Sequence, residues 1–266
     1  ARAMQGKSSK FIGLIFPNLT NPFFAELVQN LESKLFMKGY KVIIASAAEN
    51  EQIEHDYLGM LMANQVDGII SGSHNLQVKE YQRISAPIVS FDRHLAKDIP
   101  VVSADNYQGG KLAAQFLFKN KAEKIAVLVD EDTSVSPTLD RLQAAIDFFT
   151  KNNVSFDPLD SNEIELEKVF PGPYDGVIAS NDISALKIAA IFQKNGSILN
   201  KDFFITGYDG SRVIREIAPQ LPTVIQPIEK IAEVLVSTLL QQIDDPNKQA
   251  VSTILPVAFW PGLKDK

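Results

Sequence analysis

Cysteine is absent from all 266 residues, which excludes disulfides, thiolate metal sites and cysteine nucleophiles. Histidine is nearly so. His55, His74 and His94 are scattered, and no two have the spacing of a metal-ligand pair. No apolar run approaches the roughly 18–20 residues of a membrane span, and the first ten residues lack the apolar centre of a secretory signal. A cytoplasmic protein is the simplest reading. A basic excess is missing too: the net charge of −6 argues against a broad basic face for nucleic acid on this piece. The glycines of "SADNYQGGK" fit neither a phosphate loop nor a dinucleotide fingerprint. "SVSPT" offers hydroxyls with no base beside them. The expectation is a non-enzyme that uses no cofactor and no metal.

What is present is an alternation. A chain 45% hydrophobic and 22% charged has ordinary globular composition, and its length suits one large domain or two modest ones. The short runs "FIGLIF", "KVIIAS", "DGIIS", "PIVSF", "IAVLV", "DGVIAS", "FFITGY" and "PTVIQ" are rich in Ile, Val and Phe, as strands covered on both faces should be. Helical stripes lie between them. Phe24, Leu27, Val28, Leu31 and Leu35 form one, Leu112, Ala113, Phe116 and Leu117 another, and Ile228, Ile231, Leu235 and Leu239 a third. Strand–helix alternation implies parallel sheets with crossover helices. The chain also echoes itself. "VDGIISGSHN" resembles "YDGVIASNDI", and Phe91-Asp92 resembles Tyr208-Asp209 at the end of a later strand. Two similar α/β lobes would produce this.

Open parallel sheets bind ligands beyond the carboxyl ends of their strands, so two lobes that face each other would hold a ligand between them. The stretch "NLTNPFF" fits such a place. Asn21 is a candidate helix N-cap, Pro22 suits the first helical position, and Phe24 begins the buried stripe. Phe23 lies off that stripe and could offer an aromatic face to a sugar-like ligand. The alternative is that both rings are core.

In order along the chain, "IGLIFPNLTNPFFAEL", "DGIISGS", "PIVSFDR", "VSADNYQGGKLAAQFL", "VIASNDISALKIA", "ITGYDGS" and "LPTVIQP" resemble the effector-binding core of lactose-repressor-type (LacI/GalR) transcription regulators. That core is shared with periplasmic sugar-binding proteins. The resemblance covers about residues 1 to 258 and is greatest to repressors of sucrose and ribose operons. It implies two Rossmann-like lobes with parallel sheets, joined by three crossovers. Residues 1–9 would be the end of the hinge helix, 10–106 plus 227–258 the N-terminal lobe, and 107–226 plus 259–266 the C-terminal lobe. "ARAMQGKSS" is similar to the end of the family's hinge helix, with Met4 at the position that wedges into the DNA minor groove. The helix-turn-helix that would precede it is absent from this chain.

Carried over position by position, the resemblance implies that Asn21 bonds the ligand and that Phe23 and Phe24 face it. Asp92 and Arg93 would be an acid–base pair fixing a sugar ring through its hydroxyls. Arg141, Asn181, Asp209 and Gln226 would complete the contacts. Each has a plainer alternative: Asn181 as a helix N-cap, Asp209-Gly210 as a strand-end turn, Arg93 as an ion-pair partner of Asp98. The chain departs from the family at Ala144 and Ala145, where a glycine and an aromatic are usual. The interval from Arg141 to Asn181 is short, and Phe156 and Phe170 are poor matches for the aromatic that stacks on the ligand there. The resemblance implies a small carbohydrate effector that alters operator affinity, and a homodimer. The rival from the same fold is a sugar-binding receptor of a transporter.

Overall fold

A computed structural model describes residues 8–47, 50–75, 78–129, 139–247 and 250–263. Met4, the rest of the expected hinge up to Lys7, and the "SVSPT" hydroxyls lie outside the described residues. The chain divides into two compact units, Ala1–Ala104 with Ile228–Leu255, and Asp105–Pro227 with Pro256–Lys266.

In chain order the first unit runs β1 (Phe11–Phe16), α1 (Pro22–Met37), β2 (Lys41–Ser46), α2 (Glu51–Ala63) and β3 (Gly68–Ser71). A 3₁₀ turn at Lys79–Gln82, β4 (Ile88–Phe91) and β5 (Val101–Ala104) follow. The second unit then runs α3 (Asn106–Lys119), β6 (Lys124–Val129), α4 (Leu139–Lys151), β7 (Ser155–Asp160), α5 (Leu166–Val169) and β8 (Gly176–Ile178). It continues through α6 (Asp182–Lys194), β9 (Phe204–Asp209), α7 (Arg212–Ile217) and β10 (Thr223–Ile225). The chain returns to the first unit for α8 (Ile228–Asp244) and β11 (Thr253–Leu255), and ends in the second with β12 (Ala258–Trp260).

Each unit carries one six-stranded sheet, in the orders β11-β5-β4-β3-β1-β2 and β12-β10-β9-β8-β6-β7. The first sheet is parallel throughout. In the second, among the described residues, β12 alone runs antiparallel, on β10. The doubly covered parallel sheets read from the sequence are therefore present.

The cores follow from side-chain alternation along the strands. In β1, Ile12, Leu14 and Phe16 face α1 and α8, burying Leu27, Leu31, Leu35, Ile231, Leu235 and Leu239. Ile15 faces the other way, towards Leu58 and Leu61 of α2. A Cβ on Gly13 would come within 2.7 Å of a Leu61 methyl, so glycine lets α2 lie close to the sheet. In the second unit, Ala126, Leu128, Val177 and Ile205 pack on α6 and α7. Ile125, Val127, Ile178 and Val224 pack on α3 and α4. Each leucine or isoleucine fully buried this way contributes about 1.5–3 kcal/mol against the chain entropy.

The sequence echo has a structural counterpart. Asp67 precedes β3, and its carboxylate accepts the N–H groups of Ser9 and Lys10 at the start of β1, at 2.8 and 3.1 Å. Asp175 precedes β8 and accepts those of Glu123 and Lys124 at the start of β6, at 3.0 and 2.9 Å. The same aspartate thus closes the end of the same strand in both sheets.

The unit boundaries differ slightly from those expected. Asp105 goes with the second unit because it caps α3, accepting Gln108 N–H at 2.9 Å. The last return comes before residue 258. Pro256 has no N–H to extend β11, and Ala258 is already paired with Ile225 in the second sheet.

Candidate functional site

In parallel sheets all strands deliver their last residues to one edge, and the candidate residues collect there in each unit. In the first, β1 leads into Asn21, whose side chain caps α1 by accepting Phe23 N–H at 2.9 Å. Phe23 differs from expectation. It is 2% exposed, against 9% for Phe24, and both rings belong to the core cluster under α1 and α8. Phe23 lies 5.7 Å from the Phe91 ring at the end of β4 and 5.4 Å from Phe24. Off-stripe in the helix wheel does not mean off-core in the first turn, where a side chain also meets the ends of neighbouring strands. Phe24 stands edge-on to His74, with centroids 6.0 Å apart.

Asp92 and Arg93 follow β4 directly and are both buried. Asp92 has φ 57°, in the left-handed region. Arg93 Nη1 donates to Asp92 O at 2.7 Å and lies 3.7 Å from Asp92 Oδ2. Ser90 Oγ donates to Arg93 O at 2.6 Å and pins the turn from below. The surface ion pair of Arg93 with Asp98 is not what burial shows: Arg93 is 7% exposed beside its neighbour Asp92.

The loop after β3 is held by a residue the sequence reading passed over. Glu54 of α2 is fully buried, and its carboxylate accepts from the Ser73 hydroxyl, the Asn75 amide and the Tyr81 hydroxyl. Burial and the Glu54 charge push the Tyr81 hydroxyl well above its usual value. Tyr81 also bonds Ser71 at 2.8 Å. The loop bearing His74 is thereby tied to α2. Nothing in "EQIEHDYL" separates Glu54 from its exposed neighbours except the stripe position it shares with Leu58 and Leu61. His55 is half-exposed and bonds Glu80 at 2.8 Å.

In the second unit, Asn181 is indeed an N-cap, accepting Ser184 N–H at 2.9 Å. Asp209 ends β9 with φ 104° and is 7% exposed. Gln226, just past β10, donates its side-chain N–H to Asp209 Oδ1 at 2.9 Å, and its backbone N–H to Asp209 O at 3.0 Å. That carboxylate dictates which way the amide points. The Gln226 Oε1 is consequently a buried acceptor with no hydrogen-bond partner among the described residues.

Arg141, near the start of α4, lies with its guanidinium carbon 3.6 Å from the Tyr208 ring centroid. Its Nε donates to Asn106 Oδ1 at 2.6 Å, and Asn106 also accepts from Tyr208 at 3.3 Å. The paired glycines of "YQGGK" make this possible. A Cβ on Gly109 would meet the Tyr208 hydroxyl at 2.3 Å, and one on Gly110 the Arg141 carbonyl at 2.1 Å. They are packing glycines, and they let α4 press against α3. Ala144 and Ala145, which break the family pattern, are both buried, and Ala145 packs in one cluster with Ala113 and Ala114 of α3. Phe156 packs on Phe149 at 5.8 Å, and Phe170 packs on Phe192 and Tyr174; both rings belong to the packing of this unit. Asn106 and Tyr208 were missed as partners of Arg141, because only the fold brings α3, α4 and β9 together there.

Among the described residues, no group of three or more His, Asp and Glu could hold a metal ion, and no helix is long and apolar enough to cross a membrane. Chemically, the two strand-end clusters present carboxylates, a guanidinium and amides in pairs, an arrangement suited to accepting and donating hydrogen bonds to a polyhydroxy ligand.

Residues 9–159 match the family described as periplasmic binding proteins and the sugar binding domain of the LacI family, and residues 114–262 a periplasmic binding protein-like domain. The chain is 42% identical over 256 residues to a sucrose operon repressor of Pediococcus pentosaceus, covering 93% of this chain and 78% of that protein. It is 33% identical over 270 residues to a ribose operon repressor of Bacillus subtilis, covering 97% and 82%. In structure it is similar to a periplasmic binding protein/LacI transcriptional regulator of Alkaliphilus metalliredigens complexed with D-xylulofuranose. There the TM-score is 0.85 at 26% identity, covering 96% and 100% of the two chains. A LacI family regulator of Enterococcus faecalis with bound ribose gives a TM-score of 0.81 at 26% identity, again over 96% and 100%.

Proposed function

The chain belongs to the family of periplasmic binding proteins and LacI-type sugar-binding domains, and from that membership we propose that it is the effector-binding core of a transcriptional repressor. Its effector is a small carbohydrate, with Asn21, Phe24, Asp92, Arg93, Arg141, Asn181, Asp209 and Gln226 as contacts. Phe23 contributes by backing Phe24 and Phe91 from within the core. Operator DNA is bound through a headpiece ahead of residue 1, with Met4 as the minor-groove wedge, and the working species is a cytoplasmic homodimer.

The observation that carries the sugar reading is the open acceptor at Gln226. A buried amide oxygen without a donor costs about 1–3 kcal/mol, and a ligand hydroxyl would satisfy it. The neighbouring Asp209 carboxylate offers further acceptor capacity at the same edge. The Asp92–Arg93 pair repeats the theme in the first unit, with a donor fork added. The similarity to sucrose and ribose operon repressors supports a repressor over a transport receptor, since it extends across nearly the whole chain.

The effector acts by biasing a conformational equilibrium, and the coupling to DNA must be reciprocal: operator binding should change sugar affinity by the same factor, typically about 5–150-fold. Titration calorimetry against sucrose, fructose, ribose and their phosphates tests the reading. Micromolar to millimolar binding of one of them is expected. Failure of all of them, with the protein folded, would remove the carbohydrate from the proposal.

A further inference from the structure

Asp182 follows Asn181, and in the sequence it is only an acidic residue in the first turn of a helix. Such residues are usually exposed. This one is 2% exposed. Its Oδ2 accepts Gly210 N–H at 2.8 Å, its Oδ1 accepts the Thr223 hydroxyl, and Ser211 N–H also donates to the carboxylate. Arg215 of α7 supplies nearby positive charge, and its Nε donates to Gly210 O at 2.9 Å. Gly207 leaves room for the group, for a Cβ there would stand 2.3 Å from Oδ1. One side chain thus fastens the start of α6, the turn between β9 and α7, and the start of β10.

This arrangement is costly. Burial raises the carboxyl from its ordinary 3.8 to about 7, against the opposing hydrogen bonds from Thr223, Gly210 and Ser211 and the charge of Arg215. Replacing a buried charged group by a well-packed apolar one of similar volume is often neutral or stabilising. A buried carboxylate kept at such a cost calls for a role beyond packing, and its hydrogen bonds end on the turn that carries Asp209. Asp209 holds φ 104°, a backbone state that side chains rarely adopt and that persists only where the surroundings impose it.

We propose that Asp182 is a positioning residue for the effector site, holding the Gly210–Ser211 turn so that Asp209 keeps its strained backbone and presents its carboxylate beside Gln226. The inference rests on the reading of Asp209 and Gln226 as effector contacts.

The test compares Asp182→Ala, Asp182→Asn and Thr223→Val with the unmodified protein. It reads three quantities: affinity for sucrose and D-ribose, amide exchange at Gly210 and Ser211, and melting temperature. Asp182→Ala should weaken sugar binding by about tenfold or more and speed exchange at both amides well below its melting point. Asp182→Asn keeps an acceptor for the turn and an N–H for Thr223, so it should recover most of both losses. Should the alanine variant fail to fold, Thr223→Val carries the test, with affinity falling by roughly threefold and faster exchange at Gly210. A folded Asp182→Ala with unchanged affinity and exchange overturns the proposal, as does an asparagine variant that protects the amides yet binds as poorly as alanine. If the unmodified protein binds neither of these sugars, nor fructose, nor their phosphates, the functional reading fails on its own. The exchange data still decide whether Asp182 holds the turn: acceleration supports it and no change overturns it.

Discussion

Asp92 and Asp209 hold the same backbone station in two different sheets. Each follows a buried aromatic residue, Phe91 or Tyr208, at the end of a parallel strand, and each has a left-handed backbone, with φ of 57° and 104°. Such a backbone costs a non-glycine residue about 1–2 kcal/mol, and strain repeated at both strand ends marks positions kept for their side chains.

At these two stations glycine should therefore be tolerated better than alanine. Asp92→Gly and Asp209→Gly should each be about 1 kcal/mol more stable than the matching alanine variant, while all four lose sugar binding. Urea titration and calorimetry on the same preparations read both effects. Equal stability of the Gly and Ala forms would mean that the positive φ is not imposed by the fold. Arg93→Ala should also abolish binding, and Asp92→Ala should cost more folding stability than a neutral contact would, since it removes a carboxylate that stands 3.7 Å from the buried Arg93 guanidinium.

Gly110→Ala places a methyl group where the Arg141 carbonyl stands, 2.1 Å from the new Cβ. Backbone cannot rotate away as a side-chain tip can, so α4 must shift. A loss of about 1–3 kcal/mol is expected, with weaker sugar binding because Arg141 leaves its place over Tyr208. Gly59, whose Cβ would meet nothing within 4 Å, is the control. Gly59→Ala should leave affinity unchanged and stability unchanged or raised.

Asp67 gives the first sheet a dependence on acid. Burial would raise its carboxyl, but the hydrogen bonds from Ser8, Ser9 and Lys10 together outweigh it and hold the group below its ordinary 3.8. A folded value below the unfolded one means that the stabilisation is fully present above about pH 4 and is lost as pH falls through the depressed value. Asp67→Asn should lower the denaturation midpoint at pH 7 and show a shallower loss between pH 4 and pH 2 than the parent protein. Parallel acid titrations of the two proteins would show this.

Asp182 should act in the opposite sense. Its folded value of about 7 lies above 3.8, so the folded chain holds the proton more tightly than the unfolded chain. The contribution favours the fold most below about pH 4, declines as pH rises towards 7, and is flat above it. In between, this one group adds a slope of about 1.4 kcal/mol per pH unit. Asp182→Asn should remove that slope, so unfolding free energies measured from pH 5 to 8 should diverge in favour of the variant as pH rises. Parallel curves would show that Asp182 ionises normally.

The amino-acid order by itself determined the fold class and most of its parts. The stripes beginning at Phe24 and at Ile228 are buried as their spacing requires, because a helix laid on a sheet has one face to hide. The runs that became β1, β3, β4, β6 and β8 to β10 were legible for the same reason: both of their faces are covered. β2 was legible from its Val-Ile-Ile run, although it is an edge strand with Ile44 exposed. β5, β7, β11 and β12 were not singled out. β7 is an edge strand with a proline and charged residues, and β11 and β12 are short edge strands that bury little of their surface, so they lack the continuous apolar run of a covered strand.

The tertiary structure alone decided what the polar residues do. Glu54 and Asp182 look like their exposed neighbours in the sequence, and become the most deeply buried carboxylates among the described residues only because distant hydroxyls and N–H groups converge on them. Phe23 is core because the end of β4 arrives beside it, and Gly109 and Gly110 matter because α4 and Tyr208 press against them. Hydrophobic periodicity is a local property, written into a few consecutive turns. The burial of a charge depends on partners brought from far along the chain, and no window of sequence contains them.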